Sequence, residues 1–145
     1  MRVLVQRVKQ AKVTVEGVEV GRVGVGLCLF LGVAKDDTEA AADYLAGKIA
    51  GMRIFADESG KMNRSLAEDG GEVLVVSEFT LHGDCSKGKR PSFSRAARPE
   101  DARRLYDYFV LKLRDLGLKV ATGKFQAKME VNLVNDGPVT LIIDG

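Results

Sequence analysis

Residues 27–34, LCLFLGVA, are apolar without interruption. An alternating strand can leave one face in water, but this run has no polar face to give. It predicts a central strand covered on both sides, so the chain must supply a layer above it and a layer below it.

The flanking segments supply candidates for both layers. MRVLVQRVK, at the start, is rich in β-branched residues and reads as a strand. In AKVTVEGVEVGRVGVG, Val13 and Val15 alternate with polar neighbours, Glu16-Gly17 suggests a hairpin, and the later glycines suggest bends or bulges. DDTEAAADYLAGKIAGMRIF then switches to helical spacing. Asp36, Asp37 or Thr38 can cap this helix, and Tyr44, Leu45, Ile49 and Met52 form its apolar stripe. DESGK (57–61) and AEDGG (67–71) read as turns.

EVLVVSEFTL (72–81) is the strongest strand signal, and it runs into the polar loop HGDCSKGKRPSFSRAARP (82–99). Pro99 suits the first turn of a second helix with a stripe of Leu105, Phe109, Leu113 and Leu116, closed by Gly117. KVAT, KFQAKMEVNLV and PVTLIID complete the chain as strands. The order predicts an α+β fold: a single domain over 1–145, with a mostly antiparallel β-barrel-like body and two main helices packed on it.

Composition narrows the function classes. At 46% hydrophobic and 29% charged, with a net charge of +2, the chain has no global basic field, so any nucleic-acid contact must come from a local cluster. No run reaches the about 18 apolar residues of a membrane span, and the opening residues do not form a signal peptide. Cys28, in the apolar run, reads as a small buried hydrophobe, and Cys85 as a loop residue; no disulfide framework is expected, and a cytoplasmic setting fits. The only histidine, His82, sits with Asp84 and Cys85 in HGDC, but no partner cluster accompanies them, so neither a metal site nor a cofactor is expected.

Three segments carry candidate chemistry. SEFTL (77–81) places polar side chains where a strand meets a loop, which is either a solvated edge or a functional strand end. The 82–98 loop carries Lys87, Lys89, Arg90, Arg95 and Arg98 against Asp84 as its only acid, with Phe93 among serines. That composition suits phosphates and the end of an RNA strand. In KFQAKMEVNLV, alternation puts Phe125, Ala127, Met129, Val131 and Leu133 on one face, serving as core or as a pocket for a flat ring. Last, NDGPVT (135–140) separates two apolar runs; its Asn-Asp-Gly reads as a turn, with Pro138 unusually close to a strand.

SEFTL, KGKRPSF (87–93), GKFQAKM (123–129) and NDGPVT together resemble the marker segments of the D-aminoacyl-tRNA deacylase family, and VQRV (5–8) and GKMN (60–63) fit as well. The resemblance spans the chain in order. It implies a homodimer that hydrolyses the ester between a D-amino acid, or mischarged glycine, and the 3′-terminal adenosine of tRNA. It further implies an active site shared between subunits. Gly137 and Pro138, joined by a cis bond and braced by Arg7, would enter the partner's pocket as a chirality filter. That filter would select by rejecting L side chains. Ser77, Phe79 and Thr80 would hold the reacting carbonyl, with Thr80 a candidate nucleophile, and the terminal adenine would meet Phe125 and Met129. Lys87, Lys89 and Arg90 are the expected phosphate contacts.

The chain departs from the family pattern at Glu78, usually Gln, and at Gln126, usually a small residue. A hydroxyl without a base is a weak nucleophile, so the resemblance favours catalysis assisted by the RNA 2′-hydroxyl. The competing expectation is a non-catalytic module that binds RNA 3′ ends.

Overall fold

The computed structural model describes residues 1–145. β1 (Arg2–Val15) pairs antiparallel with β2 (Val18–Val23) and with β3 (Gly26–Gly32). Glu16 and Gly17 both have positive φ, 51° and 78°, which is the two-residue hairpin geometry that matches strand twist. β2 and β3 lie end to end along the same edge of β1, interrupted at Gly24-Val25, so they act as one long strand with a bend.

α1 (Glu39–Gly51) follows, then the hairpin of β4 (Arg53–Ala56) and β5 (Met62–Ser65) and the four-residue α2 (Leu66–Asp69). Thr38 is the residue before α1 but makes no side-chain cap; Asp37 instead accepts the Ala34 amide at 2.6 Å. α2 occupies the predicted 67–71 turn. Its capping box is reciprocal: Ser65 accepts the Glu68 amide, and Glu68 accepts the Ser65 amide.

β6 (Glu72–Ser77) pairs parallel with β3, and β7 (Lys119–Thr122) pairs parallel with β6. Between them runs α3 (Pro99–Asp115), with Pro99 in its first turn and Gly117, at φ 83°, just past its end. β8 (Glu130–Asp144) takes the remaining edge of β1. The body is therefore a nearly closed mixed sheet: antiparallel around β1 and parallel where the helices connect strands. β7 folds onto β2 so closely that a Cβ at Gly21 would lie 2.3 Å from the Thr122 carbonyl oxygen.

The uninterrupted apolar run has two cores to serve. Leu27, Leu29 and Leu31 join a 21-residue cluster between the sheet and the helices, with Leu45, Ile49, Leu105 and Phe109. Cys28 joins a 7-residue cluster inside the barrel, with Val8, Val13, Leu74 and Val76. Neighbouring side chains on β3 point to opposite cores, as strand geometry requires. On the helices, Leu45 and Ile49 of α1 and Leu105, Phe109 and Leu113 of α3 are buried as the spacing predicts, while Tyr44 and Leu116 are exposed. α1 and α3 lie side by side, joined by Arg104 to Glu39 at 2.7 Å and by the Tyr108 hydroxyl donating to Asp43 at 3.0 Å.

NDGPVT is not a turn. β8 continues through it, pairing with β1 in the same sense on both sides. Gln6 pairs with Thr140 and Val8 with Asn135, so residues 136–139 stand opposite Arg7 alone, as an outward bulge. A long uninterrupted β1 supplies hydrogen bonds to both halves, and this outweighs the local turn preference of Asn-Asp-Gly.

Candidate active site

β3 and β6 run parallel, so their C-terminal ends open at the same rim. Beyond that rim lies a cavity of about 660 Å³, predominantly apolar, of the size that takes a small ligand or a nucleoside. One wall is Leu31 and Val33 with Val76, Ser77, Glu78 and Phe79. A second is Phe93, Ala96 and the first turns of α3, and a third is Phe125, Gln126, Ala127, Met129 and Val131.

The SEFTL segment changes conformation at its midpoint. β6 ends at Ser77, and Phe79–His82 forms a turn of 3-10 helix rather than more strand. Gly32 makes room for it: a Cβ there would meet the Glu78 carbonyl oxygen at 3.0 Å and Leu81 at 3.1 Å. Phe79 and Thr80 open this turn, where the first amides have no acceptor within the helical segment. Phe79 is exposed at 56% and meets Phe93 edge to face at 5.2 Å, so the two rings form a lip on the cavity.

Thr80 lies on the exposed side of the turn and does not line the cavity. Its hydroxyl donates to the Glu78 carboxylate, which does line it. A hydroxyl against a carboxylate is the pairing of a nucleophile with a base, which the sequence pattern alone did not show.

The third wall is a loop, not a strand: β8 begins only at Glu130, and Gln126 has φ 62°. Of the expected face, Phe125, Ala127, Met129 and Val131 line the cavity, whereas Leu133 packs on the barrel core, and Gln126, expected on the other face, joins the lining. A left-handed backbone favours glycine or asparagine, so Gln126 holds a conformation that its side chain disfavours. Phe125 packs on Tyr106 at 5.7 Å. Tyr106 is a site residue that no sequence signal singled out. It is buried, its hydroxyl donates to the Val75 carbonyl at 2.8 Å, and burial pushes its phenol well above the ordinary range. It is a fixed neutral wall of the site.

The basic loop is pinned at both ends. Asp84 and Ser92 exchange backbone hydrogen bonds at 2.8 and 2.9 Å, and Ala97 donates to Val33 at 2.9 Å. Lys87, Lys89 and Arg90 lie exposed at its tip, outside the cavity wall. Hydrogen bonds from the Ser86 side chain and amide lower the Asp84 carboxyl below its ordinary range. His82, Asp84 and Cys85 form no ligand cluster, since no three His, Cys, Asp or Glu side chains converge anywhere in the chain.

Gly137 and Pro138 sit on the β8 bulge, with Arg7 opposite them on β1, and none of the three lines the cavity. The Gly137–Pro138 bond is cis. The Arg7 guanidinium, only 13% exposed, lies 3.0 Å from the Asp136 carboxylate and donates to the Ile54 carbonyl. Asn135 closes the bulge by donating to the carbonyls of Arg7 at 2.9 Å and Val139 at 3.1 Å.

A ligand-sized apolar cavity at a rim of parallel strands, with a basic loop beside it, marks a small α+β protein built to hold a ligand at its strand ends. The chain belongs to the D-Tyr-tRNA(Tyr) deacylase family, whose model matches residues 4–144. It is 62% identical over 144 residues to a D-aminoacyl-tRNA deacylase of Symbiobacterium thermophilum, covering 99% of this chain and 95% of that protein. It is 60% identical over 145 residues to one of Heliobacterium modesticaldum, covering 100% and 97%. Among solved structures, a c-Myc DNA unwinding element binding protein matches with a TM-score of 0.93 at 39% identity, covering 100% of this chain and 99% of that one. A probable eukaryotic D-amino acid tRNA deacylase shares the fold at a TM-score of 0.85 and 22% identity, covering 99% and 98%.

Proposed function

We propose that the protein hydrolyses the ester joining a D-amino acid, or mischarged glycine, to the 3′-terminal adenosine of tRNA, releasing the amino acid and the free tRNA. The observation that carries this reading is the cavity between Ser77–Phe79 and Phe125–Met129, which brings the strand-end motif and the adenine motif to one ligand-sized space. The adenine lies against Phe125 and Met129, and the ester carbonyl reaches the Ser77–Thr80 backbone. Water adds to that carbonyl. The amides at Phe79 and Thr80 receive the developing oxyanion. The intermediate then collapses, and the adenosine 3′-oxygen leaves and takes a proton.

The protein acts as a homodimer in the cytoplasm. β8 pairs only with β1, so the outer edge of a 15-residue strand is open, with Val134, Leu141 and Ile142 exposed at 44%, 39% and 63%. Open strand edges are normally covered. The Gly137–Pro138 bulge projects from that edge, and in the dimer it enters the partner's cavity and rejects L side chains. Arg7 and Asn135 hold it in place. Lys87, Lys89 and Arg90 contact tRNA phosphates.

Thr80 has a potential base in Glu78 but does not itself line the cavity, and that position supports attack by water assisted by the RNA 2′-hydroxyl. Thr80→Ala decides between the two mechanisms. Near-normal deacylation ends the side-chain nucleophile, and a loss of several orders of magnitude restores it. Incubation with D- and L-aminoacyl-tRNA tests the reaction itself: loss of the D-ester and survival of the L-ester are expected. A second reading, a non-catalytic module that binds RNA 3′ ends, draws on the 39% identity to a c-Myc DNA unwinding element binding protein. An intact D-ester at substrate excess would favour it.

A further inference from the structure

A second groove of about 570 Å³ lies directly behind the cavity, and the two share Tyr106 and Phe125. Its cations are Arg103, Arg114 and Lys124, and Asp107 is its only carboxylate. Asp107 is already paired with Arg103 at 3.2 Å. The Arg103 guanidinium also sits 5.5 Å from the centroid of the Phe125 ring. Arg114 reaches only the Val120 carbonyl, at 3.4 Å, and neither it nor Lys124 is ion-paired. Two exposed cations without carboxylate partners therefore face one channel, separated from the cavity by the packed rings of Tyr106 and Phe125.

We propose that this groove carries the phosphodiester backbone of the single-stranded RNA end on the 5′ side of the nucleoside held in the cavity. The inference rests on the deacylase reading. A 3′-terminal nucleoside whose ester lies in the cavity has one covalent exit, its 5′ phosphate, and the groove is the cationic surface continuous with the ring that it stacks on. Arg114 and Lys124 hold phosphates. Arg103, with one face on Phe125 and an ion pair to Asp107, fixes the ring between the two spaces. The groove thus adds a second phosphate-binding surface to the loop of Lys87, Lys89 and Arg90, and it shares no residue with that loop.

The test is the Arg114→Gln/Lys124→Gln double variant, with Lys48→Gln on α1 as a control for lost charge. Binding of deacylated tRNA is followed against salt concentration. Each single-strand phosphate contact contributes about 0.7 to the slope of log affinity against log salt, so the double variant should be shallower by about 1.4 and Lys48→Gln unchanged. Hydrolysis of a D-aminoacyl-adenosine, which has no 5′ phosphate, should proceed at the wild-type kcat/KM in the double variant. An unchanged slope overturns the proposal, and so does an equal loss on the short substrate, because that places the effect in the cavity. If the wild-type protein leaves D-esters intact, the deacylase reading fails separately, while the slope still reports on the groove.

Discussion

The side-chain amide of Asn135 donates to the Arg7 carbonyl at 2.9 Å and to the Val139 carbonyl at 3.1 Å. Asn135 thereby spans the base of the bulge and replaces ladder bonds that residues 136–139 cannot make with β1. Asn135→Ala removes both bonds and should cost about 1–2 kcal/mol in a urea titration. Deacylation should fall further than that loss of folded protein explains, because the freed bulge no longer holds its position.

Gly137 offers a cleaner probe of what the bulge does. Within the chain, a Cβ at this position would meet only Asn135 Oδ1, at 3.7 Å. Gly137→Ala should therefore leave the thermal midpoint of the isolated subunit near that of the wild type. If the bulge enters a partner's cavity, the added methyl intrudes there, and kcat/KM for D-aminoacyl-tRNA should drop roughly tenfold or more. Full activity would remove Gly137 from the filter.

Asp57 organises the β4–β5 hairpin. It accepts from the Ser59 hydroxyl at 2.7 Å, the Asn63 side chain at 2.7 Å and the Lys61 amide at 3.0 Å. These bonds, that from the Ser59 side chain foremost, lower its carboxyl to about 2, against an ordinary 3.8. A depressed folded-state value stabilises the fold above the unfolded value, and that contribution fades as pH falls toward the folded one. The stability gap between wild type and Asp57→Asn should be full above about pH 4 and close toward about pH 2, read from urea midpoints across that range.

Gln126 holds φ 62°, where a Cβ is unfavourable. Gln126→Gly should stabilise the fold by up to about 1 kcal/mol in chemical denaturation, the relief of the left-handed backbone being partly offset by glycine's entropy. KM for tRNA should shift as well, because Gln126 lines the cavity.

The two thiols should separate in a chromogenic thiol assay. Burial pushes Cys28 up to about 12, while Cys85 is exposed. One equivalent should react in the native state and the second only on unfolding.

Much of this was legible in the sequence, and the exceptions share a cause. β1, the hairpin at Glu16-Gly17, the two long helices and the two-sided β3 all follow from period and punctuation. SEFTL, KFQAKM and NDGP each departed from the expected strand or turn: the first through a helical turn admitted by Gly32, the second through the left-handed Gln126, the third because β1 is long enough to pair on both sides of a bulge. In each, a tertiary neighbour overrode local preference, and each lies at a proposed functional position. Tyr106 was invisible because a buried helical tyrosine looks the same whether it backs a cavity or a core. Strand alternation already puts Glu78 and Thr80 on one face, but it does not show that their side chains meet at the cavity rim.

β3 gives alternate side chains to two cores that never touch each other directly. It is a party wall: neither the helical layer nor the barrel interior can loosen without moving it. The cavity opens where that wall ends, at Leu31 and Val33, beside the end of β6. Its floor is clamped from both sides, whereas its lip, Phe79 and Phe93, is held mainly by one ring against the other. Stiffness therefore falls from the inner end of the site to its mouth, so, on the proposed reading, a bulky nucleoside would enter by shifting two aromatic rings while the Ser77–Thr80 backbone stays still.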